Sequence, residues 1–378
     1  MLNSGIIDIV IGLVFIYLLY SLLATLIQEI IASHFGFRGK MLERAIFRML
    51  EDETKFNSKF TSVLYLFRKS GNGGVKHSIS YEYYKHPLIL FLGERDNNGK
   101  PAYINKQTFS KVIVDLLRGK DVKPGDDIQS MIQKSLDEKT TNWGDAKISE
   151  QTLSYLKSIW ADSQGDVPKF KVSLEAWFDE TMDRASGWYK KHTQIVLFFV
   201  GLAISIVFNV DTLKIVDKLE KDPKLRQQIV QQADAFVQDH PNLDTDLMQQ
   251  EIEYKKAVMR SMQIDSSLKK SDKGTVLEDS LKLVKYRLLK ERKDTLLNRS
   301  EKIIKNDIKN VNHSLGLGWE AYDSSSFLNI FYSLIGWMVT ALALSLGAPF
   351  WFDLLNRLMK LRGSVATPTS DDREKKQG

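Results

Sequence analysis

Metal, hydrolytic and phosphoryl chemistry each need particular side chains at particular spacings, and these 378 residues hold few such patterns. The histidines are His34, His77, His86, His192, His240 and His313. None stands in HExxH or another zinc spacing, where two rings one helical turn apart converge on one ion. With no Cys in the chain, thiolate clusters, cysteine nucleophiles and disulfide staples are excluded. No GxxxxGK[ST] or GxSxG occurs, and no GxGxxG follows a strand pattern. Phosphate cradling and nucleophile-elbow hydrolysis therefore lack a motif. The 47 acidic residues include no pair that spacing singles out as an acid and base. No catalytic residue, cofactor or metal ligand is assigned. Asn298-Arg299-Ser300 and Asn312-His313-Ser314 match the glycosylation sequon, a pattern of high chance frequency.

The elements that would position a site are defined by where charge is missing. A net charge of +6 and 43% hydrophobic residues describe an ordinary soluble chain on average, but uncharged runs alternate with regions dense in Lys, Arg, Asp and Glu. Residues 9–27 carry no charge, and at about 1.5 Å per residue such a helix reaches roughly 29 Å, the thickness of a hydrocarbon core. A signal peptide is disfavoured, because no Lys or Arg precedes the run and no small-residue cleavage site follows it. Further uncharged runs cover residues 193–210 and 327–352, the latter interrupted by Gly336, Gly347 and Pro349. It is long enough to span with tilt, or to span and then bend at Gly347-Ala348-Pro349. The expected fold is mainly α, an integral membrane protein with three transmembrane helices (5–33, 193–210 and 327–350) and two inserted helical soluble segments. Those segments are a domain at 34–192 and a hairpin or bundle at 211–326. An amphipathic juxtamembrane helix at 351–362 and a disordered tail at 363–378 complete the plan.

Orientation follows from basic residues beside the spans. Arg38, Lys40, Arg44 and Arg48 follow the first, and Arg357, Lys360 and Arg362 follow the third. Both place the N-terminus outside and the C-terminus in the cytoplasm, with 34–192 cytoplasmic and 211–326 extracytoplasmic. Lys214, Lys218, Lys221, Lys224 and Arg226 after the second span dissent. The basic excess is spread rather than clustered, so the partner it suggests is a lipid bilayer and not a nucleic acid.

Local signals mark several helices. Asp222-Pro223 is an N-cap with a first-turn proline, His240-Pro241 ends the helix that follows, and Thr275 to Glu278 is a capping box opening a run to about Val311. Residues 41–50 and 108–117 have helical apolar spacing, and the GNGG at 71–74 and DNNG at 96–99 are turns. Leu174, Trp177, Phe178, Thr181, Ala185, Trp188 and Tyr189 share one helix face leading into the second run, with Glu175, Asp179, Glu180 and Asp183 on much of the remainder. That acidic face favours packing over anionic lipid. Trp188, Tyr189, Trp351, Arg357, Lys360 and Arg362 are candidate membrane-interface residues. Asp353 is expected to pair with Arg184 or Lys190, joining two cytoplasmic helices. Asp8, Glu29, Asp211 and Asp353 all lie at run edges, and the interiors offer only Ser, Thr, Asn and Tyr, which disfavours an ion relay within one chain.

Two long blocks, LEAWFDETMDRASGWYKKHTQ (174–194) with Asn209-Val210-Asp211 after the run, and GWMVTALALSLGAPFWFDLLNRLMKLRG (336–363), carry a resemblance. The chain resembles a widespread family of bacterial three-span inner-membrane proteins of unassigned function. Weaker echoes are the HPLI at 86–89, the PAYI at 101–104 with Thr108-Phe109, and Glu29. The resemblance implies an integral protein of the bacterial inner membrane and supplies no reaction. The functional expectation is a non-enzymatic scaffold or oligomeric assembly subunit, with a homo-oligomer or an unidentified protein as partner. An oligomeric channel or lipid-handling component is the first alternative and a membrane enzyme the second. Ala341-xxx-Ser345 and Ala343-xxx-Gly347 form a small face that serves oligomers and internal packing equally.

Overall fold

The computed structural model describes residues 2–51, 66–67, 77–92, 100–241, 294–295, 297–298, 301–319 and 327–366. Among them every regular element is a helix, and sheet pairing is limited to isolated bridges of Lys147 with Ser78 and Thr140. The chain divides into two units, Met1–Ile30 with Gln194–Gly378, and Ile31–Thr193.

The second unit holds α2 (Phe37–Leu50), α3 (Ile79–Lys85), α4 (Pro87–Leu92), α5 (Lys106–Arg118), α6 (Ile128–Glu138), α7 (Glu150–Asp162) and the first part of α8 (Val167–Val207). Side chains that accept from orphan first-turn N–H groups start several of these helices. Asn105 accepts from Thr108 N–H at 2.6 Å, and Asp127 accepts from Gln129 and Ser130. Helix α5 is central because Phe109, Val112, Ile113, Leu116 and Leu117 are all buried. They pack with Ile46 and Leu50 of α2, Tyr83 of α3, Ile132 of α6, Leu156 of α7 and Phe170 and Leu174 of α8. Burying each such side chain contributes about 1.5–3 kcal/mol.

The other unit is built around α1 (Leu2–His34). The apolar end of α8 is followed by α9 (Thr212–Lys221) and α10 (Pro223–Asp239). Asp222 caps α10 through Lys224 and Leu225 N–H, and Pro223 stands in its first turn, where a missing N–H costs nothing. A π-helical segment, Ile303–Ile308, leads into α11 (Lys309–Leu315), which stops at left-handed Gly316. Lys218 of α9 donates to the carbonyls of Leu315 and Gly316, placing a cation at the negative end of α11. Helices α12 (Phe327–Leu344) and α13 (Ala348–Ala366) complete the unit.

Two of these helices, α1 and α8, are long and apolar enough to cross a membrane, and a third span exists if α12 and α13 count as one bent span. That pair meets at 90°. Gly347 adopts φ 85°, and Pro349 follows in the first turn of α13, where it has no N–H to lose. The third run therefore ends as a helix at Leu344 and not at 350. The helix expected at 351–362 spans Ala348–Ala366, so the start of the expected disordered tail is helical. The capping box at Thr275 and the loops at 71–74 and 96–99 lie outside the described residues.

The most apolar helix is also the most enclosed. Residues 14–24 of α1 are buried without interruption. Gly12 lies beneath Leu219 of α9 and Ile229 of α10, Phe15 meets Phe236 of α10 at 5.7 Å, and Tyr20 donates to Asn312 of α11 at 2.5 Å. Helix α13 closes another side in antiparallel sense. The Trp351 ring packs on Tyr17 at 4.8 Å, and three turns later Arg362 pairs with Asp8 at 2.9 Å.

Candidate functional site: a polar junction after the second apolar run

The apolar end of α8 stops by a backbone device that its sequence supports. Val210 N–H reaches back to Ser205 C=O at 2.8 Å and Asn209 N–H to Ile206 C=O at 3.1 Å. This pair of bonds defines a Schellman stop with Asn209 in the left-handed position, φ 51°. Asn tolerates that conformation, and its amide is used twice: Nδ2 donates to Gly318 C=O at 2.7 Å and Oδ1 accepts from Trp337 Nε1 at 3.2 Å.

Asp211 then starts α9. Its Oδ1 accepts from the N–H groups of Leu213 (3.0 Å) and Lys214 (3.3 Å), while its Oδ2 lies 3.6 Å from Lys214 Nζ. The carboxylate side chain is 2% exposed and lies against the backbone of α12. A Cβ added at Gly336 would sit 1.8 Å from Oδ1, so this position accepts only glycine while the acid is there. Lys214 Nζ also donates to Ser333 Oγ of α12 at 2.8 Å.

A chain of hydroxyls runs beside this pair. Tyr17 and Thr212 oxygens are 2.9 Å apart, and those of Thr212 and Thr340 are 2.8 Å apart. Thr340 donates to the carbonyl of Val210 at 2.8 Å, shared with that of Gly336 at 2.9 Å. Each hydroxyl has one proton, so the direction is set: Tyr17 donates to Thr212, Thr212 to Thr340, and Thr340 to backbone. Tyr17, Ser205, Asp211, Thr212, Ser333 and Thr340 are all buried. The network ties α1, α8, α9 and α12 together, each bond contributing about 0.5–1.5 kcal/mol net.

Chemically this arrangement joins helices. The carboxylate is committed to two N–H donors and an ammonium, and the hydroxyl chain ends on carbonyls. No group of three or more His, Asp or Glu among the described residues could hold a metal ion.

The second unit has buried ionic groups of its own. Glu43 pairs with Lys100, and burial lowers the Lys40 pKa while Lys40 donates to Leu66 C=O at 2.6 Å. His86 Nδ1 accepts from Leu88 N–H at 3.3 Å, which places the ring proton on Nε2, 3.6 Å from Asp115 Oδ2. Asp115 is held more closely by Arg118 (2.7 Å) and Lys111 (3.1 Å), and the imidazole packs on Trp143 at 4.6 Å. Burial raises the Tyr83 phenol pKa well above its ordinary value.

The residues singled out from sequence fall in several places. Asp353 pairs with Arg357 one turn along α13, at 2.8 Å; Arg184 and Lys190 are exposed on α8, in the other unit. Trp188 lies under the Arg48 guanidinium at 4.6 Å, and Tyr189 lies 5.8 Å from that of Arg38. Trp351, expected at a membrane interface, is 8% exposed and donates to Ala343 C=O at 2.8 Å. Lys360 is exposed. The Arg362–Asp8 pair sets the start of α1 beside the last turns of α13.

By sequence Asp211 is an edge residue of the uncharged run. It does end the α8 run, yet it stands against Gly336, the middle of α12. Asn209 and Asp211 carry a readable stop and start signal, whereas nothing local pairs Asp211 with Gly336, Thr340 or Tyr17. No family model matches the chain, and neither a curated protein nor a solved structure matches it.

Proposed function

We propose that this protein is a non-enzymatic membrane scaffold, held in lipid by α8 and α12 and presenting its helical units to a homo-oligomeric or protein partner. One observation carries the membrane part. Helix α12 is polar inside and apolar outside: Ser333, Trp337, Thr340 and Ala341 are buried, whereas Phe331 (51%), Leu334 (46%), Met338 (48%) and Leu342 (59%) are exposed. Water selects the opposite arrangement, and a helix in hydrocarbon turns its hydrogen-bonding groups toward neighbouring helices. Phe199 and Val207 on α8 extend the same outward apolar surface.

The scaffold reading is supported by what the polar groups do. The hydroxyl chain and the Asp211 carboxylate are consumed in fixing four helices, as a structural junction requires. The resemblance of the 174–194 and 336–363 blocks to three-span proteins of the bacterial inner membrane supports that location. Orientation rests on Arg38, Lys40, Arg44 and Arg48 after the first uncharged run, which favour a cytoplasmic second unit, against Lys214, Lys218, Lys221, Lys224 and Arg226 after α8, which favour the reverse. Arg357, Lys360 and Arg362 give no independent support, because Arg362 pairs with Asp8.

Membrane fractionation with carbonate extraction tests the reading. The wild-type chain is expected to stay in the pellet and Met338→Lys to be released, since Met338 is exposed near the middle of α12 and a lysine near the centre of a lipid-facing helix costs about 2.5–3.5 kcal/mol on insertion scales. A wild-type chain extracted by carbonate would overturn it.

A further inference from the structure

A cleft of about 500 Å³ opens between α2, α7 and α8, entirely within the second unit. Its α8 wall is one helix stripe, Trp177, Thr181, Arg184 and Trp188, spaced at four, three and four residues. Facing it are Arg48 of α2 and Tyr155 of α7. The Arg48 guanidinium lies over Trp188, 4.6 Å from the ring centre, and the Tyr155 ring packs on Trp177 at 4.6 Å. Two guanidinium groups and three large rings therefore share one opening.

The charges around the cleft favour an anion. Among the described residues neither Arg48 nor Arg184 forms an ion pair with a carboxylate. Glu51 also lines the cleft, but its Oε1 accepts both the N–H (3.2 Å) and the hydroxyl (2.5 Å) of Ser80. Two of the four acids on that face of α8 are engaged with α5: Asp179 pairs with Lys106 at 2.7 Å, and Glu175 accepts from Ser110 at 3.1 Å, while Glu180 and Asp183 are exposed. Burial, and after it Glu180, raise the Tyr155 pKa while Arg184 lowers it, so both charges act on this ring. A guanidinium held over an indole loses less freedom when its fork of N–H donors meets a tetrahedral oxyanion.

We infer that this cleft binds a glycerophospholipid by its phosphate, with Arg48 and Arg184 on the phosphate oxygens and Trp177 and Trp188 against the glycerol and first acyl carbons. The uncharged run opens at Thr193, five residues after Trp188 on a helix that continues to Val207. Five residues are about 7.5 Å of helix, which puts Trp188 in the headgroup layer when the run begins at the hydrocarbon boundary, and Arg184, four residues further out at about 13.5 Å, reaches back toward that layer along its long side chain. That step rests on the membrane reading above. Free phosphate shares the oxyanion chemistry and leaves the aromatic walls without a role.

The experiment is native mass spectrometry of the full chain in mild detergent, titrated with phosphatidylglycerol. Wild type is expected to retain lipid, and Arg48→Gln and Arg184→Gln each to weaken retention about tenfold, the loss of one charge-assisted contact. Trp188→Ala is expected to weaken it as well, and inorganic phosphate not to displace the lipid. Both arginines are exposed, so circular dichroism should show unchanged helix content. Equal retention by wild type and the double glutamine variant overturns the inference, as does full displacement by inorganic phosphate. Carbonate extraction of the wild-type membranes before solubilisation separates the two failures: a chain in the pellet whose lipid ignores both arginines loses the cleft assignment and keeps the membrane reading.

Discussion

Helices α1 and α12 are both long uncharged runs, and the fold uses them in opposite ways. Residues 14–24 of α1 are buried on every face, largely by the amphipathic helices α9, α10, α11 and α13 of its own unit. A helix so enclosed meets no lipid over that stretch, whatever its composition. Helix α12 has only one sealed face, and that face holds its hydroxyls and small residues while Phe331, Leu334 and Leu342 look outward. Uncharged length is therefore a weaker sign of lipid contact than the direction in which polar groups point.

A glycine in the middle of each helix gives the largest test of this contrast. Alanine at Gly336 would put Cβ 1.8 Å from the Asp211 carboxylate, which is fixed by the first turn of α9. Gly336→Ala is expected to cost about 3 kcal/mol, at the upper end for overpacking. Alanine at Gly12 meets Leu219 Cδ1 at 3.2 Å and Ile229 Cγ2 at 3.4 Å, the ends of movable side chains. Gly12→Ala is expected to be near neutral, because about 1 kcal/mol of helix propensity offsets the crowding. Denaturation in detergent measures both. Asp211→Gly in the Gly336→Ala background should restore most of the loss, since glycine at an N-cap costs only a few tenths of a kcal/mol. Equal effects at both glycines would erase the distinction between the helices.

The hydroxyl chain gives a smaller, graded effect. Thr340→Val removes the donor to Val210 C=O and leaves the Thr212 proton without its acceptor, so a loss of about 1–3 kcal/mol is expected. Tyr17→Phe removes only the first donor, from the α1 side, and should cost about 0.5–1.5 kcal/mol. The reverse order would mean that α1, and not α12, anchors the junction.

What was legible beforehand follows from how local each cause is. The α10 boundaries were readable at Asp222-Pro223 and His240 because a cap and a fixed proline φ act within one turn. Gly347 and Pro349 marked the break between α12 and α13 for the same reason. The Asp211 contact with Gly336 was not readable, since it joins positions far apart in the chain and depends on helix packing. The enclosure of α1 was hidden likewise: an uncharged run looks the same whether lipid or amphipathic helices cover it. The partner of Trp351 was not readable either, because an amphipathic indole suits a headgroup layer and a buried carbonyl acceptor equally.

The finest test concerns α11, the helix that closes over Tyr20 of α1. Asp307, in the π-helical segment before it, has its carboxyl pKa raised chiefly by burial, with His240 and Lys302 pulling the other way. For an acid whose folded pKa lies above its unfolded value, the charged form is disfavoured by folding. The cost is present at neutral pH and is lost as pH falls through the raised folded value, where the folded state takes up its proton first. Asp307→Asn is therefore expected to raise stability slightly at pH 7, with the gain shrinking toward zero as pH falls through the carboxylate range. Denaturation midpoints for the two chains across that range measure the difference. A gain that grows on acidification would mean that the carboxylate is stabilised where it stands, and that the cover over α1 on that side is polar and not a seal.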